Sequence, residues 1–544
     1  MFACPNCGGN ILFDIKSQSM KCKYCDSSFM PEQIVKESDA VENNYFETTS
    51  YTCPQCGATL LGEENEAAVF CSFCGASDIM MSKMTRQKKP EYIIPFRLSK
   101  EDCVAAYKKK LKKAFYAPSG IVNKSKTESF RGIYIPFWCY EFSHDKPFEA
   151  EGKIVRSEGN YTIYETYKIG GEMKAEFDAV PFNSDAYFYD KLSNAIEPFN
   201  QTERKSFTPS YLSGFYADIP DVASEVYADD AAAVARSGEV EAVKKVPMFK
   251  KMSVDKNNKR DVLVKNFTPE LKGCYNSYFP VWFLSYRYRD RVSYAVVNGQ
   301  TGKVASDVPV SYGRYLLGTF LLAMVIYFFL ELMFVPKPSE MLLLSAGIST
   351  IISYLYCFEI REIQQKDSLE GDKGLKYYKK QKKLKNGLNS VSEDAVEIPA
   401  ESISRKKNKV KNNPDLNGGM VYFWAAVIFA CTVFAAMLSR SFKPVVPIMG
   451  AVALFTSIRA FGYLLKYKGK KKFGIWGSMF SAVLTIIVSL VSPPDDYIYY
   501  GLAFAAIATV SFTVADLISF YNILATRPLP QFDRTGGDDD AENL

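Results

Sequence analysis

The sequence predicts a multidomain chain in which two small four-cysteine modules precede an α+β domain and an all-α membrane domain. Three observations support this fold class. The chain has 544 residues, too many for one ordinary hydrophobic core. A cysteine pattern occurs twice near the N-terminus, and long apolar stretches are confined to the part after residue 312. The overall composition, with 48% hydrophobic and 23% charged residues, therefore averages over two unlike halves.

The cysteine pattern is the strongest chemical signal. Each copy has two CxxC pairs separated by 14 residues, and the second copy is shifted by 49 residues. Four thiolates satisfy tetrahedral zinc, and two facing CxxC turns leave no open coordination position. Buried free cysteines or a redox pair would not explain two identical spacings, so we expect two structural zinc ions, with iron or an iron–sulfur cluster as the alternative. The predicted ligands are Cys4, Cys7, Cys22, Cys25, Cys53, Cys56, Cys71 and Cys74.

The N-terminal residues MFACPNCGGN lack the basic and apolar regions of a secretion signal, so the first half is expected in the cytosol. The 13 cysteines then lie in a reducing compartment, where disulfides are not expected. His144 is the chain's only histidine, and it is interpreted as a surface or strand-end residue. No P-loop, HExxH or GxSxG motif occurs. We therefore expect no enzyme.

Local patterns between residues 90 and 310 predict an α+β domain. Ser99, with Asp102 three residues later, predicts a capping box before the basic amphipathic helix KEDCVAAYKKKLKKAFY. The segment SYAVVNGQTGKV predicts a hairpin that turns at Asn298 and Gly299. Two aromatic–proline segments indicate equivalent strands of a duplicated unit, namely YIPFW at 134–138 and YFPVW at 278–282.

The second half contains apolar stretches near the ~20 residues that span a bilayer. Lysine-rich loops at 359–419 and 466–473 place both termini in the cytosol of a multi-pass plasma-membrane protein. Only Glu331, Arg459 and Asp516 are charged within the stretches, all near predicted ends, so nothing requires a transport path. The six predicted spans are Tyr315–Val335, Met341–Phe358, Met420–Leu438, Val445–Leu465, Gly474–Ser492 and Ile498–Phe520.

The predicted fold class is thus multidomain: two small Cys4 zinc ribbons, a cytosolic α+β domain and an all-α six-span membrane domain. The predicted segments are ribbon 1 at 1–30, a linker at 31–50, ribbon 2 at 51–80, the α+β domain at 90–310, a transmembrane hairpin at 315–358, a basic loop at 359–419, four transmembrane helices at 420–522 and an acidic tail at 523–544.

Charge suggests what each segment contacts. Residues 1–80 hold four lysines and no arginine against eleven acidic residues, so the ribbons are poor phosphate binders and nucleic acid is not expected as a partner. The segment 83–126 is strongly basic. It is either a solvated helix face or a contact for anionic lipid headgroups or an acidic partner.

Several motifs occur in a characteristic order: the twin cysteine modules, YIIPFRLSKEDC, YIPFWCYEF, EPFNQTERKSFTPSYLSGFYAD, YFPVWF, VVNGQTGKV and RPLPQFDR. In these motifs the chain resembles the YdjG-like zinc-ribbon membrane proteins of Gram-positive bacteria, some labelled primosomal-helicase-like because of the ribbon. The resemblance covers about residues 1–335 and the tail motif. It implies a partner of phage-shock-type coat proteins and band-7 (SPFH) proteins in the response to envelope stress, and it supplies no catalytic residue.

The sequence as a whole favours a membrane-anchored zinc-ribbon adaptor that docks cytosolic proteins at the bacterial membrane. Two alternatives remain open. A membrane-tethered nucleic-acid regulator would use the basic segment together with the ribbons. A transporter or channel would use the zinc ribbons as a regulatory domain.

Overall fold

The structure is a computed structural model. It describes residues 2–34, 44–54, 59–62, 71, 81–118, 129–158, 161–186, 188–247, 253–254, 267–288, 291–333, 340–367, 372–387, 445–465, 473–524 and 527–528. Over these ranges a cysteine-rich N-terminal sheet and one large mixed sheet precede a series of long helices. This order of a sheet-rich part followed by helices agrees with the sequence prediction.

The first cysteine module is a small antiparallel sheet of β1 (Ile11–Asp14), β2 (Ser19–Cys22) and β3 (Ser28–Phe29). Alternate residues of a strand share one face, and on β1 the buried residues are Ile11 and Phe13. Both belong to a hydrophobic core that also contains residues of the large sheet. The module is therefore packed onto the domain that follows it.

The second cysteine segment is part of the large sheet. Its strands are β4 (Tyr45–Thr52), β5 (Thr59–Gly62) and β6 (Met81–Lys88). β4 pairs with β5 on one side and with β6 on the other, and β5 connects these three strands to the rest of the sheet. β4 begins within the segment 31–50, which was predicted as a linker. Ribbon 2 as predicted thus covers only part of a longer, sheet-bound unit.

The α+β domain contributes the remaining strands and three helices. The main strand order is β10-β7-β13-β8-β11-β5-β4-β6, with β9 and β12 paired to β8, β14 paired to β13, and β15 paired to β14. In chain order the elements are β7 (Tyr92–Ile93), α1 (Lys100–Leu111), β8 (Arg131–Glu158), β9 (Tyr161–Asn183), α2 (Asp190–Ile196), β10 (Lys205–Ser206), β11 (Tyr216–Ala217), α3 (Ala228–Lys245), β12 (Ser253–Val254), β13 (Glu270–Tyr288), β14 (Arg291–Asn298) and β15 (Val304–Ser306).

The two aromatic–proline segments lie opposite each other in the centre of the sheet. β8 and β13 are antiparallel, with Tyr134 opposite Pro280 and Pro136 opposite Tyr278. Both tyrosines are buried, and their ring centroids are 6.3 Å apart. The two segments therefore occupy equivalent positions in adjacent strands.

Two local predictions are confirmed. The Ser99 Oγ accepts a hydrogen bond from the Asp102 amide, and the Asp102 carboxylate accepts one from the Ser99 amide, which completes the capping box of α1. β14 and β15 form the predicted hairpin. In its turn, a side chain at Gly299 would place Cβ 2.5 Å from the Phe96 ring, so only glycine fits there.

The described residues of the second half form long helices and one short terminal strand. Five of the six predicted spans coincide with helices, and the sixth, Met420–Leu438, lies outside the described residues. The helices are α4 (Tyr312–Met333), α5 (Glu340–Asp367), α6 (Lys373–Gly387), α7 (Val445–Leu465), α8 (Phe473–Val491) and α9 (Asp496–Leu524), and a final short strand, β16 (Arg527–Pro528), pairs with β14.

The expected count of six spans is not confirmed. Among the described helices, two stretches, Gly474–Val491 and Asp496–Ile523, are long and apolar enough to cross a bilayer. The apolar parts of α5 and α7 are shorter, at Met341–Tyr356 and Val446–Phe461. Sixteen helical residues extend about 24 Å, less than the ~30 Å of hydrocarbon in a typical bilayer. The structure supports two candidate spans and leaves the orientation of the termini a prediction.

Candidate metal centre

Two tight turns bring the first four cysteines together. The Cys4 carbonyl accepts a hydrogen bond from the Gly8 amide at 2.8 Å, and the Cys22 carbonyl accepts one from the Asp26 amide at 3.1 Å. Gly8 and Asp26 have positive φ values of 70° and 55°, a conformation that favours glycine and tolerates Asp. Each CxxC pair therefore closes on a turn that holds its two thiols on one side.

The four thiols have the geometry of a tetrahedral metal site. The Sγ atoms of Cys4, Cys7, Cys22 and Cys25 all lie within 4.8 Å of one another. The Cys4–Cys25 Sγ separation is 3.6 Å and the Cys7–Cys22 separation is 3.5 Å. A zinc tetrahedron with Zn–S bonds of about 2.3 Å has Sγ–Sγ edges of about 3.8 Å. Small outward shifts of the thiols would therefore admit the ion, and four of the predicted ligands form one site.

The surroundings of Cys25 favour the ionised form of its thiol. The Ser27 side chain and amide, followed by the Cys7 thiol, lower the pKa of Cys25 to about 6. Cys7 receives a hydrogen bond from Gly9 that lowers its pKa, but the Cys25 and Cys22 thiols raise it overall, to about 12. A metal ion binds the thiolate form of cysteine. Cys25 is therefore more readily ionised than Cys7 at neutral pH.

The site lies at the boundary between core and solvent. Cys4 and Cys22 are buried, whereas Cys7 and Cys25 are exposed. The exposed edge also carries Tyr24, whose side chain is 78% exposed. One half of the centre is thus anchored in the shared hydrophobic core, and the other half faces outward.

Hydrogen bonds attach this module to the α+β domain. The Ser213 hydroxyl donates to the Ile11 carbonyl at 2.9 Å, and the Ser210 hydroxyl donates to the Pro31 carbonyl at 2.7 Å. The Gln18 side-chain amide donates to the Phe96 carbonyl at 2.7 Å. The four-thiol module is thereby fixed to the α+β domain by hydrogen bonds as well as by the shared core.

The second four-cysteine site is seen only in part. Cys53 and Cys71 are each 1% exposed and belong to the same hydrophobic cluster. Cys56 and Cys74 lie outside the described residues. The second zinc site therefore stays a prediction.

The interpretation of His144 as a surface or strand-end residue is wrong. His144 is 3% exposed, and its Nδ1 lies 2.9 Å from Glu239 Oε1. Glu239 interrupts a buried stripe of α3 residues spaced four apart, the others being Ala231, Ala235 and Val243. That single acid in an apolar stripe was the signal, available in the sequence, that α3 holds a buried polar partner.

A cluster of carboxyl groups lies where α2, the segment after β11 and the start of α6 meet. The Asp190 amide donates to Asp372 Oδ2 at 3.1 Å, and the Ala186 amide donates to Asp221 Oδ1 at 2.7 Å. Burial and the Asp372 carboxylate raise the pKa of Asp190 to about 7. Burial and the nearby Asp185 raise that of Asp221 to about 8. These groups link the basic helix α6 to the sheet domain.

The helical part has a polar interior. Asp516 of α9 accepts hydrogen bonds from the Tyr356 hydroxyl and, at 3.0 Å, from the Gly474 amide. Nearby, three buried serine hydroxyls lie within hydrogen-bond distance of one another, namely Ser353, Ser457 and Ser478. Asp516 is therefore held by neighbouring helices, as is typical of polar groups in helix bundles. The side chain of Glu331, the other predicted acid, lies outside the described residues.

The fold and the site define a class of protein: a four-thiol module that could hold a metal ion, docked on a mixed-sheet domain and followed by apolar helices. No protein-family model and no solved structure matches the chain. Over 317 residues it is 30% identical to the uncharacterized protein YdjG of Bacillus subtilis (strain 168), covering 91% of that protein and 58% of its own length. The chain therefore belongs to the YdjG family, which confirms the resemblance at the level of the family.

Proposed function

We propose that this protein is a zinc-stabilised adaptor that docks cytosolic proteins at the bacterial plasma membrane. The observation that supports it is the position of the first four-thiol site, which is anchored in the domain core on one side and exposed at Cys7, Tyr24 and Cys25 on the other. A Cys4 site with no open coordination position stabilises the fold and does not bind a substrate. Its outer edge is then a rigid surface for another protein.

The proposal includes two zinc ions, the second bound by Cys53, Cys56, Cys71 and Cys74. It also includes six membrane spans with both termini in the cytosol, of which α8 and α9 contain the two stretches of sufficient length. The proposed partners are a phage-shock-type coat protein and a band-7 protein, which places the adaptor in the envelope-stress response. Membership of the YdjG family supplies no partner, because the named relative is uncharacterized.

A pull-down from detergent-solubilised bacterial membranes tests the adaptor. The full chain should recover the coat or band-7 protein, and a variant with Cys7 and Cys25 changed to serine should not. Cys103→Ser is the matched control, because Cys103 is a fully buried cysteine outside the thiol cluster. Recovery of neither partner by the unaltered chain would remove the proposal.

A second candidate function is transport, favoured by the buried Asp516 and the serine cluster between helices. Ionisable groups within membrane bundles commonly mark ion pathways. Proteoliposome flux that is abolished by Asp516→Asn and retained in Ser489→Ala would support this function. Absence of flux in the unaltered protein would exclude it for the ions tested.

A further inference from the structure

The segment that follows α1 lies against the first turns of α4. The Ser311 amide donates to the Tyr116 carbonyl, and the Arg314 guanidinium donates to the Ala117 carbonyl, each at 2.8 Å. The Tyr116 and Tyr315 ring centroids are 5.0 Å apart. A Cβ at Gly318 would lie 2.8 Å from the Tyr116 ring. Residues 115–117 are thus fixed beside the beginning of a long apolar helix.

α4 is strongly apolar on its outer surface from this level onward. Its side chains at Leu317, Phe320, Leu322 and Val325 are each 61–63% exposed. Soluble proteins rarely expose such a continuous apolar surface. Phe115 is 81% exposed and directly precedes Tyr116, which contacts the first turns of α4. Phe115 therefore adds an exposed apolar side chain to the segment beside the beginning of α4.

A run of lysines immediately precedes Phe115. Lys108, Lys109, Lys112 and Lys113 are all exposed. Within the described part of the chain, none of their ammonium groups forms an ion pair or hydrogen bond. The opposite face of α1, with Cys103, Tyr107 and Leu111, is buried in the domain core. The positive charge is thus presented outward by a helix whose other face is fixed.

We propose that Phe115 inserts into the cytosolic leaflet beside α4 while these lysines bind anionic lipid headgroups. This inference rests on the membrane anchoring in the proposed function and identifies the lipid-binding site. A basic cluster beside an exposed apolar side chain matches the charge and polarity of the headgroup–acyl boundary. The position of the Phe115 segment beside the exposed apolar surface of α4 favours lipid over an acidic protein, because an acidic protein would leave that apolar surface uncovered.

Photocrosslinking of the full-length protein in native membranes tests the site. Phe115 is replaced by p-benzoylphenylalanine, and the adducts are identified by mass spectrometry. The expected product is a lipid adduct enriched in anionic headgroups. In the background K109E/K113E, the anionic adduct should fall at least about fivefold, because a single lysine near an anionic surface already contributes roughly that factor and two are reversed. The background K168E/K174E makes the same charge change on the exposed part of β9 and should leave the adduct unchanged.

Two further probe positions separate this inference from the membrane anchor. At Leu317, on α4, the probe must link to lipid if α4 is a membrane span. At Tyr161, an exposed residue of β9, it should not. Lipid adducts at 317 and only protein adducts, or none, at 115 overturn the inference and leave α4 as a span. Failure at 317 as well overturns the α4 span and this inference together.

Discussion

His144 Nδ1 lies 2.9 Å from Glu239 Oε1, and the two side chains are 1% and 0% exposed. This contact joins β8 to α3, beside the buried apolar residues Ala231, Ala235 and Val243. Burial raises the pKa of Glu239, while His144 and, to a lesser degree, Arg236 oppose that rise. His144 Nε2 and Glu239 Oε2 have no hydrogen-bond partner among the described residues. The buried Glu239 of α3 therefore depends on His144 for its hydrogen bond.

Changing His144 to alanine should loosen α3. The change leaves the Glu239 carboxyl buried without its hydrogen-bond partner, which costs about 1–3 kcal/mol. Hydrogen exchange of residues 228–245 should accelerate accordingly. The double variant H144A/E239A should exchange more slowly than H144A, because it no longer buries an isolated carboxylate. Val234→Ala, at an exposed position of α3, is the control. Equal exchange in H144A and V234A would contradict the prediction.

A methyl group at Gly299 should destabilise the sheet domain. The added Cβ would lie 2.5 Å from the Phe96 ring and 2.9 Å from the Pro280 carbonyl oxygen. Forced overpacking of this kind costs about 1–3 kcal/mol. Gly501→Ala is the matched control, because no atom lies within 4 Å of its Cβ. Thermal unfolding should show a lower midpoint for G299A and an unchanged or higher one for G501A, since alanine favours the helix.

Local sequence signals predicted a good part of this architecture. Ser99 and Asp102 act within one helical turn, Asn298 and Gly299 within one hairpin, and the CxxC pairs within single turns. Each depends on residues that are close in the chain, so spacing alone was sufficient. The apolar helices were found for the same reason, because hydropathy is a local property.

These local signals did not predict which strands pair with each other or which strand each helix covers. The contact between His144 and Glu239 joins residues 95 positions apart, and no local pattern specifies which strand α3 covers. The joining of β5 to β11 likewise depends on pairing Leu61 with Ala217. The prediction treated the second cysteine module as a separate ribbon because periodicity identifies a strand but does not identify its neighbour.

Loss of one ligand should remove one metal ion and weaken the docking of the first module. Cys4→Ser is expected to lower bound zinc by one equivalent per chain, measured by elemental mass spectrometry. Metal binding contributes directly to the folding of structural sites. Because Cys4 and Phe13 belong to the core shared with the sheet domain, hydrogen exchange should also increase in β1 and at residues 209–215. A Cys103→Ser variant should keep its zinc. Equal zinc content in the two variants would rule out Cys4 as a ligand.

The stability of the junction between α2 and α6 should depend on pH through Asp190. Its carboxyl accepts a hydrogen bond from the Tyr227 hydroxyl at 2.9 Å. The Asp372 carboxyl and the ion pair between Asp230 and Lys373 lie nearby. Folding raises its pKa from 3.8 to about 7. The protonated form is therefore favoured in the folded state, and its stabilising effect is complete below pH 3.8. It is lost progressively as the pH rises to about 7.

Asp190→Asn should remove this pH dependence while keeping an acceptor for Tyr227. Each pH unit of the shift corresponds to about 1.4 kcal/mol, so the variant should be more stable than the unaltered protein at pH 8 and no more stable at pH 4. Denaturant unfolding at both values measures the difference. Asp221, with its pKa near 8, retains a dependence of the same sign, so the slope should shrink without vanishing. The exposed Asp145→Asn is the control, and an equal change in both variants would show that Asp190 is not responsible.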